Sequence, residues 1–238
     1  ARVQDDVLAQ RATLLTLELD VLSSAGSETV RGEVKVLRRK LAELPGGGWY
    51  GGPVSRDDRT MALVRYKSAA ESETWLLDLA SGERRQVLPA AGEAVKAAHY
   101  PLGFRPDGSG LFFTSDRAGE FTELMLLDLA GGGITRLSSH IPWDIDGGDL
   151  SEDGRLLAVQ ANVEGRSELR LFDAITLKEL PRPALPAGSV GGVAFHRTLG
   201  ELAMSMNSAN SPSQLWSLAP GRDGVDAWTR AWAPPTRP

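Results

Sequence analysis

Three histidines, His99, His140 and His196, and one serine set among glycines, Ser189, are the residues of this chain whose types could supply acid–base or nucleophilic chemistry. A serine nucleophile of the hydrolase kind needs a strained strand-to-helix elbow, commonly G-x-S-x-G, with a histidine held beside it. The nearest approach, Ala187-Gly188-Ser189-Val190-Gly191, runs on into Gly192-Val193-Ala194-Phe195, which reads as a strand and not a helix. Ser189 is therefore not expected to act as a nucleophile. The histidines lack metal-ligand spacing and no H-E-x-x-H helix accompanies them, so structural or exposed roles are expected for all three.

The acidic and glycine-rich stretches say as little for cofactors. Calcium needs several carboxylates converging with backbone oxygens. Only Trp143-Asp144-Ile145-Asp146 approaches that density, and it is sparse. Gly131-Gly132-Gly133 and Pro45–Gly48 lack the following lysine and helix of a phosphate loop and read as turns. No metal and no cofactor are expected. Two groups could contact a peptide or another domain. Arg117 and Glu120 lie in an inter-strand loop, where an arginine can grip a carboxylate with paired hydrogen bonds; a local Asp116–Arg117 or Arg117–Glu120 ion pair is the alternative. Trp143, Asp144, Asn162 and Glu164 are placed similarly.

The elements that carry these residues follow from repetition. A turn phrase recurs as Ser55-Arg56-Asp57-Asp58-Arg59, Arg105-Pro106-Asp107-Gly108-Ser109 and Ser151-Glu152-Asp153-Gly154-Arg155, and in eroded form as His196-Arg197-Thr198-Leu199-Gly200. An apolar strand ending in Asp recurs in register with it, as TWLLD at 74–78, LMLLD at 124–128 and LRLFD at 169–173, with LWSLA at 215–219 lacking the acid. The spacing is that of a four-stranded unit of about 45 to 50 residues, the period of a propeller blade. The fold expected is all-β: a β-propeller of four-stranded antiparallel blades, four complete at about 46–89, 97–138, 143–183 and 187–232, in an incomplete ring. The aspartates belong to hairpin turns, which use a side-chain acceptor there.

Residues 1–45 support two readings. Val7, Leu14 and Val21, with Leu8, Leu15 and Leu22, recur at sevens, as in a helical hairpin. Leu15, Leu17, Leu19 and Val21, then Val30, Val34 and Val36, alternate with polar residues, as in two strands of a partial preceding blade.

Composition excludes some classes of partner. Hydrophobic residues make up 42% and charged residues 24%, ordinary for a globular protein, and the net charge of −5 gives no electrostatic footing for nucleic acid. No stretch reaches the length of a membrane span, so a soluble protein is expected. The absence of cysteine suits cytoplasm and periplasm equally.

Several phrases, namely SDRAGEF at 115–121, WDID at 143–146, NVEGRSELRLFD at 162–173, PAGSVGGVAF at 186–195 and SANSPSQLW at 208–216, resemble the propellers of prolyl oligopeptidase family serine peptidases. The resemblance implies a non-catalytic propeller that caps an α/β-hydrolase domain and restricts access to short peptides. It also implies seven or eight blades, so the chain is expected to begin within a blade and stop short of the catalytic domain. Peptide substrate and the hydrolase domain are then its expected partners, together with self-association through open blade edges. The alternative is a stand-alone interaction scaffold.

Overall fold

The computed structural model describes residues 41–186, 188–209, 211–219 and 224–229. The two readings of residues 1–40 fall outside the described residues. Every regular element described is a strand, and sixteen strands form four antiparallel four-stranded sheets. Blade one holds β1 (Trp49–Val54), β2 (Thr60–Ser68), β3 (Glu71–Asp78) and β4 (Arg84–Leu88). Blade two holds β5 (His99–Phe104), β6 (Gly110–Ser115), β7 (Glu123–Asp128) and β8 (Ile134–Arg136). β9 (Ile145–Leu150), β10 (Leu156–Val163), β11 (Arg166–Asp173) and β12 (Lys178–Glu179) make blade three. Blade four comprises β13 (Ser189–Phe195), β14 (Leu202–Ser208), β15 (Ser211–Leu218) and β16 (Asp226–Ala227). Strands pair in chain order within each blade, successive blades pack face to face, and among the described residues the four blades do not close a ring.

The turn chemistry accounts for the recurrent aspartates. Between the first and second strands Asp57 and Asp153 each accept a hydrogen bond from the serine two residues before, Ser55 at 2.6 Å and Ser151 at 2.7 Å. Asp107 instead accepts from Ser109, at 2.7 Å from its hydroxyl. At the third-to-fourth turn Asp78 accepts from the amides of Ala80 and Ser81, and Asp173 from those of Ile175 and Thr176. The fourth blade departs from the phrase for a chemical reason. Thr198 stands in the acid's column, and His196, in the position of Ser55 and Ser151, supplies the acceptor instead: its Nδ1 accepts from the amides of Thr198 and Leu199 at 3.2 Å.

Blades are held by apolar faces that alternate along each strand. Ala62, Leu76 and Leu88 meet Phe104, Leu111, Phe113, Met125 and Leu127 between blades one and two. Phe112, Leu124 and Leu126 meet Leu157, Val159, Ala161 and Phe172 between two and three. Ala158 and Leu169 meet Val190, Leu202, Met204, Met206 and Leu218 between three and four. Blade one's other face buries Met61, Leu63 and Leu77 under Leu41, Ala42, Leu44, Trp49 and Trp75. Close approach at the first strand is bought with glycine: a Cβ on Gly148 would lie 2.2 Å from the Ala158 carbonyl oxygen.

Register exposes one difference between blades. The cross-strand pairs Ala62–Leu76, Phe112–Leu126 and Ala158–Leu171 face the following blade, and the equivalent pair in blade four is Ala203–Ser217. Ser217 donates to Glu201 at 2.8 Å and accepts from the Trp228 indole at 2.8 Å. A hydrogen-bonded serine thus stands where the other three blades carry leucine.

Candidate functional site

The hairpins joining second to third strands and the connectors joining one blade to the next lie at the same end of the strands, and they carry most of the residues singled out from sequence. Arg117 follows β6. Its amide donates to Ser115 Oγ at 3.1 Å, and its guanidinium is paired with Glu93, from the connector between blades one and two, and not with Asp116 or Glu120. Glu120 is exposed in the same loop.

Below Arg117 lies a polar node that sequence reading missed. His99 opens β5 with no exposed surface, its Nδ1 2.9 Å from Ser115 Oγ. Its amide donates to Ser72 Oγ at 2.7 Å, and Ser72 returns a bond to the His99 carbonyl at 3.0 Å, tying blade one to blade two. Burial first, and the neighbouring Arg117 guanidinium second, push the imidazole down to about 4. His99 Nε2 and Arg117 Nη1 are both buried and have no protein partner. His99 has one of the roles expected for it, a structural one, but Ser72 and Ser115 come from two other strands with no shared motif, so nothing in the linear pattern marked their partnership with it.

Trp143 packs its ring against the core between blades two and three, with Phe121 6.4 Å away. Asp144 caps the preceding blade's loop, accepting from the Thr122 amide at 2.8 Å, while its carbonyl accepts from Asn162 at 2.9 Å. Burial, and then Asp144, hold the Asp146 carboxyl above its ordinary value. Asn162 Oδ1 accepts from the Gly165 amide at 3.2 Å, and Glu164 occupies the left-handed first position of that two-residue turn, with φ of 51°. The structure brings Asp144 and Asn162 into direct contact, with Trp143 beside them and Glu164 on the Asn162 hairpin, while Arg117 and Glu120 lie in the blade-two loop whose end Asp144 caps.

The remaining candidates are dispersed. Ser189 lies in β13 opposite Asn207, in extended backbone with no elbow. His140 is exposed and pairs with Glu179. Among the described residues no group of three or more His, Cys, Asp or Glu could hold a metal ion, and no helix is long and apolar enough to cross a membrane.

One concave feature stands out on blade three, a groove of about 430 Å³ between the β10–β11 hairpin and the connector to blade four. Glu164, Arg166, Ser167, Glu168 and Leu169 form one wall, and Arg182, Pro183, Leu185 and Pro186 the other. A chain of charges runs beneath it: Arg182 and Arg170 both bond Glu168, and Arg170 continues to Glu179 at 2.8 Å.

Four blades of this geometry define a β-propeller, and solved structures share it. No protein-family model matches the sequence and no curated protein does. TolB from Acinetobacter baumannii matches at 16% identity and a TM-score of 0.59, over 76% of this chain and 43% of that one. A puromycin-hydrolysing peptidase from Mycobacterium tuberculosis matches at 19% identity and 0.62, over 82% of this chain and 30% of that one. Prolyl oligopeptidase B from Galerina marginata matches at 14% and 0.64, over 80% and 28%. The chain spans less than half the length of each, and at these identities the likeness is one of fold.

Proposed function

We propose that this chain is the non-catalytic propeller of a prolyl oligopeptidase-like serine peptidase, capping and gating access to a hydrolase domain outside this sequence. The observation that carries the reading is the likeness of fold to such peptidases, over a chain whose described serines and histidines form no accessible catalytic arrangement. Ser189 is locked in a strand, and the Ser115–His99 pair is sealed from solvent. In this role the blades act sterically: a rigid channel turns away folded proteins and admits short peptides, whose termini the loop residues orient.

The test is direct. The chain alone is assayed with peptidyl and ester substrates, and no turnover is expected from it or from Ser189→Ala. Turnover abolished by that substitution would overturn the reading. The coding sequence downstream of residue 238 gives an independent check, since a G-x-S-x-G followed by Asp and His is expected there. A stop codon would favour a second reading, an interaction scaffold, which the likeness to TolB supports. Either form exposes blade edges able to pair with another chain, so self-association belongs to the proposal and light scattering across concentrations reads it.

A further inference from the structure

Three of the buried side-chain polar atoms that have no partner among the described residues face one seam, that between blades one and two: Thr74 Oγ1, His99 Nε2 and Arg117 Nη1. Thr74 lies on β3 between Ser72, which bonds the main chain of His99, and Leu76, which packs against blade two. Alternation along the strand turns all three to the same side, so Thr74 Oγ1 points into the seam. His99 comes from the opposite wall. It pairs across the sheet with Ser115, and its ring lies 6.2 Å from that of Phe113, a member of the apolar cluster that joins the two blades. Arg117 closes the end of the seam: its amide bonds Ser115 Oγ, and its guanidinium reaches Glu93 in the connector between the blades.

The three atoms are complementary in kind. Ser115 turns its proton to His99 Nδ1, so Nε2 of the neutral ring carries a hydrogen. Arg117 Nη1 is a donor in any state, and Thr74 Oγ1 can accept as well as donate. A buried donor left unbonded is costly, and an internal water with several polar partners is its common remedy. We propose that one long-lived internal water sits in this seam, accepting hydrogen bonds from His99 Nε2 and Arg117 Nη1 and donating one to Thr74 Oγ1. An anion would satisfy the two nitrogen donors equally well, and local charge decides between them. Glu93 already neutralises Arg117, and Asp116, whose Oδ1 takes the Ala98 amide, brings a second carboxylate to bear on the ring. Burial, and then Arg117, hold the imidazole uncharged down to about 4. The node therefore carries a net negative charge, which a buried anion would increase. A neutral acceptor fits where an anion does not. The water gives blades one and two a polar strut beside the direct tie between Ser72 and His99. The inference concerns this seam and does not depend on the peptidase reading.

The test is magnetisation transfer from water in NMR spectra of the full chain labelled with nitrogen-15. A water held for longer than the protein tumbles gives NOE and ROE cross-peaks of opposite sign, whereas proton exchange gives the same sign in both. At neutral pH the hydrogen on His99 Nε2 is expected to show the first pattern at the water frequency. The cross-peak should persist in Thr74→Val, which removes the hydroxyl that could relay it. It should vanish in Arg117→Met, where the water keeps a single donor. A crystal grown in bromide supplies the second arm, with an ordered oxygen expected between His99 Nε2 and Arg117 Nη1 and no anomalous signal there. An unsubstituted chain showing exchange alone or no cross-peak would overturn the proposal. So would a cross-peak lost in Thr74→Val, one retained in Arg117→Met, or a bromide ion at the site.

Discussion

Ser115 Oγ sits 2.9 Å from His99 Nδ1 with both residues sealed from water, and the bonds around the pair predict which of them carries the proton between them. Ser115 Oγ already accepts from the Arg117 amide. Its own proton has Nδ1 as its acceptor, which leaves the imidazole neutral with hydrogen on Nε2. Long-range nitrogen–proton NMR should show that tautomer for His99. A protonated Nδ1 in the neutral ring would refute the assignment.

The same burial makes stability depend on pH. A histidine free to titrate near 6.5 in the unfolded chain and near 4 in the native one binds more protons when unfolded across that interval. Stability should therefore fall as pH drops from about 6.5 to about 4, by at most about 3 kcal/mol. Arg117 opposes protonation, while Asp116 and Glu93, the other charges acting on the ring, favour it. Denaturant titrations at pH 7 and pH 4.5 measure the loss. In His99→Gln this interval should flatten, and an unchanged slope would exclude His99 as its source.

The charge chain under the groove predicts an asymmetry between breaking and replacing it. Arg170 is buried and holds Glu168 and Glu179. Arg170→Met alone should cost about 1–3 kcal/mol, because Glu168 and Glu179 each lose a buried partner and keep only the exposed Arg182 and His140. Adding Glu168→Gln and Glu179→Gln should recover most of that. Urea midpoints of the two variants provide the comparison, and equal midpoints would count against the network.

Core packing and backbone approach can be separated by two substitutions. Phe112→Ala, at the fully buried seam between blades two and three, should cost about 3–5 kcal/mol. Gly148→Ala should cost more than about 2 kcal/mol although it adds one methyl group, because the Ala158 carbonyl occupies the space. Gly51→Ala, whose nearest neighbour is the Met61 sulfur at 3.9 Å, is the control and should be nearly neutral.

What was legible in the sequence was whatever repeats. The aspartate columns at 57, 107 and 153 and at 78, 128 and 173 mark turns whose hydrogen bonds need an acceptor at fixed offset, so the blades could be read from them. The fourth copy, from His196 to Gly200, was legible as an eroded turn, but not that the His196 imidazole nitrogen would supply the acceptor that an aspartate supplies elsewhere. Four of the six loop residues chosen by type also serve the fold: Asp144 and Asn162 bond backbone amides, Trp143 packs on the core and Arg117 pairs with Glu93. The groove was invisible for a different reason. It exists because β12 is two residues long, and a missing length of strand leaves no motif.

Ser217 has a consequence for how such an array could grow. Duplicating blade two or blade three would insert a module whose leucine-bearing front and apolar back match their new neighbours, and the lengthened protein should fold. Duplicating blade four would press Ser217, Glu201 and the Trp228 indole against an apolar sheet and take the Glu201 carboxylate out of water with only neutral partners. Insertion of a further blade is therefore expected to be tolerated better as a copy of blade two or three than as a copy of blade four.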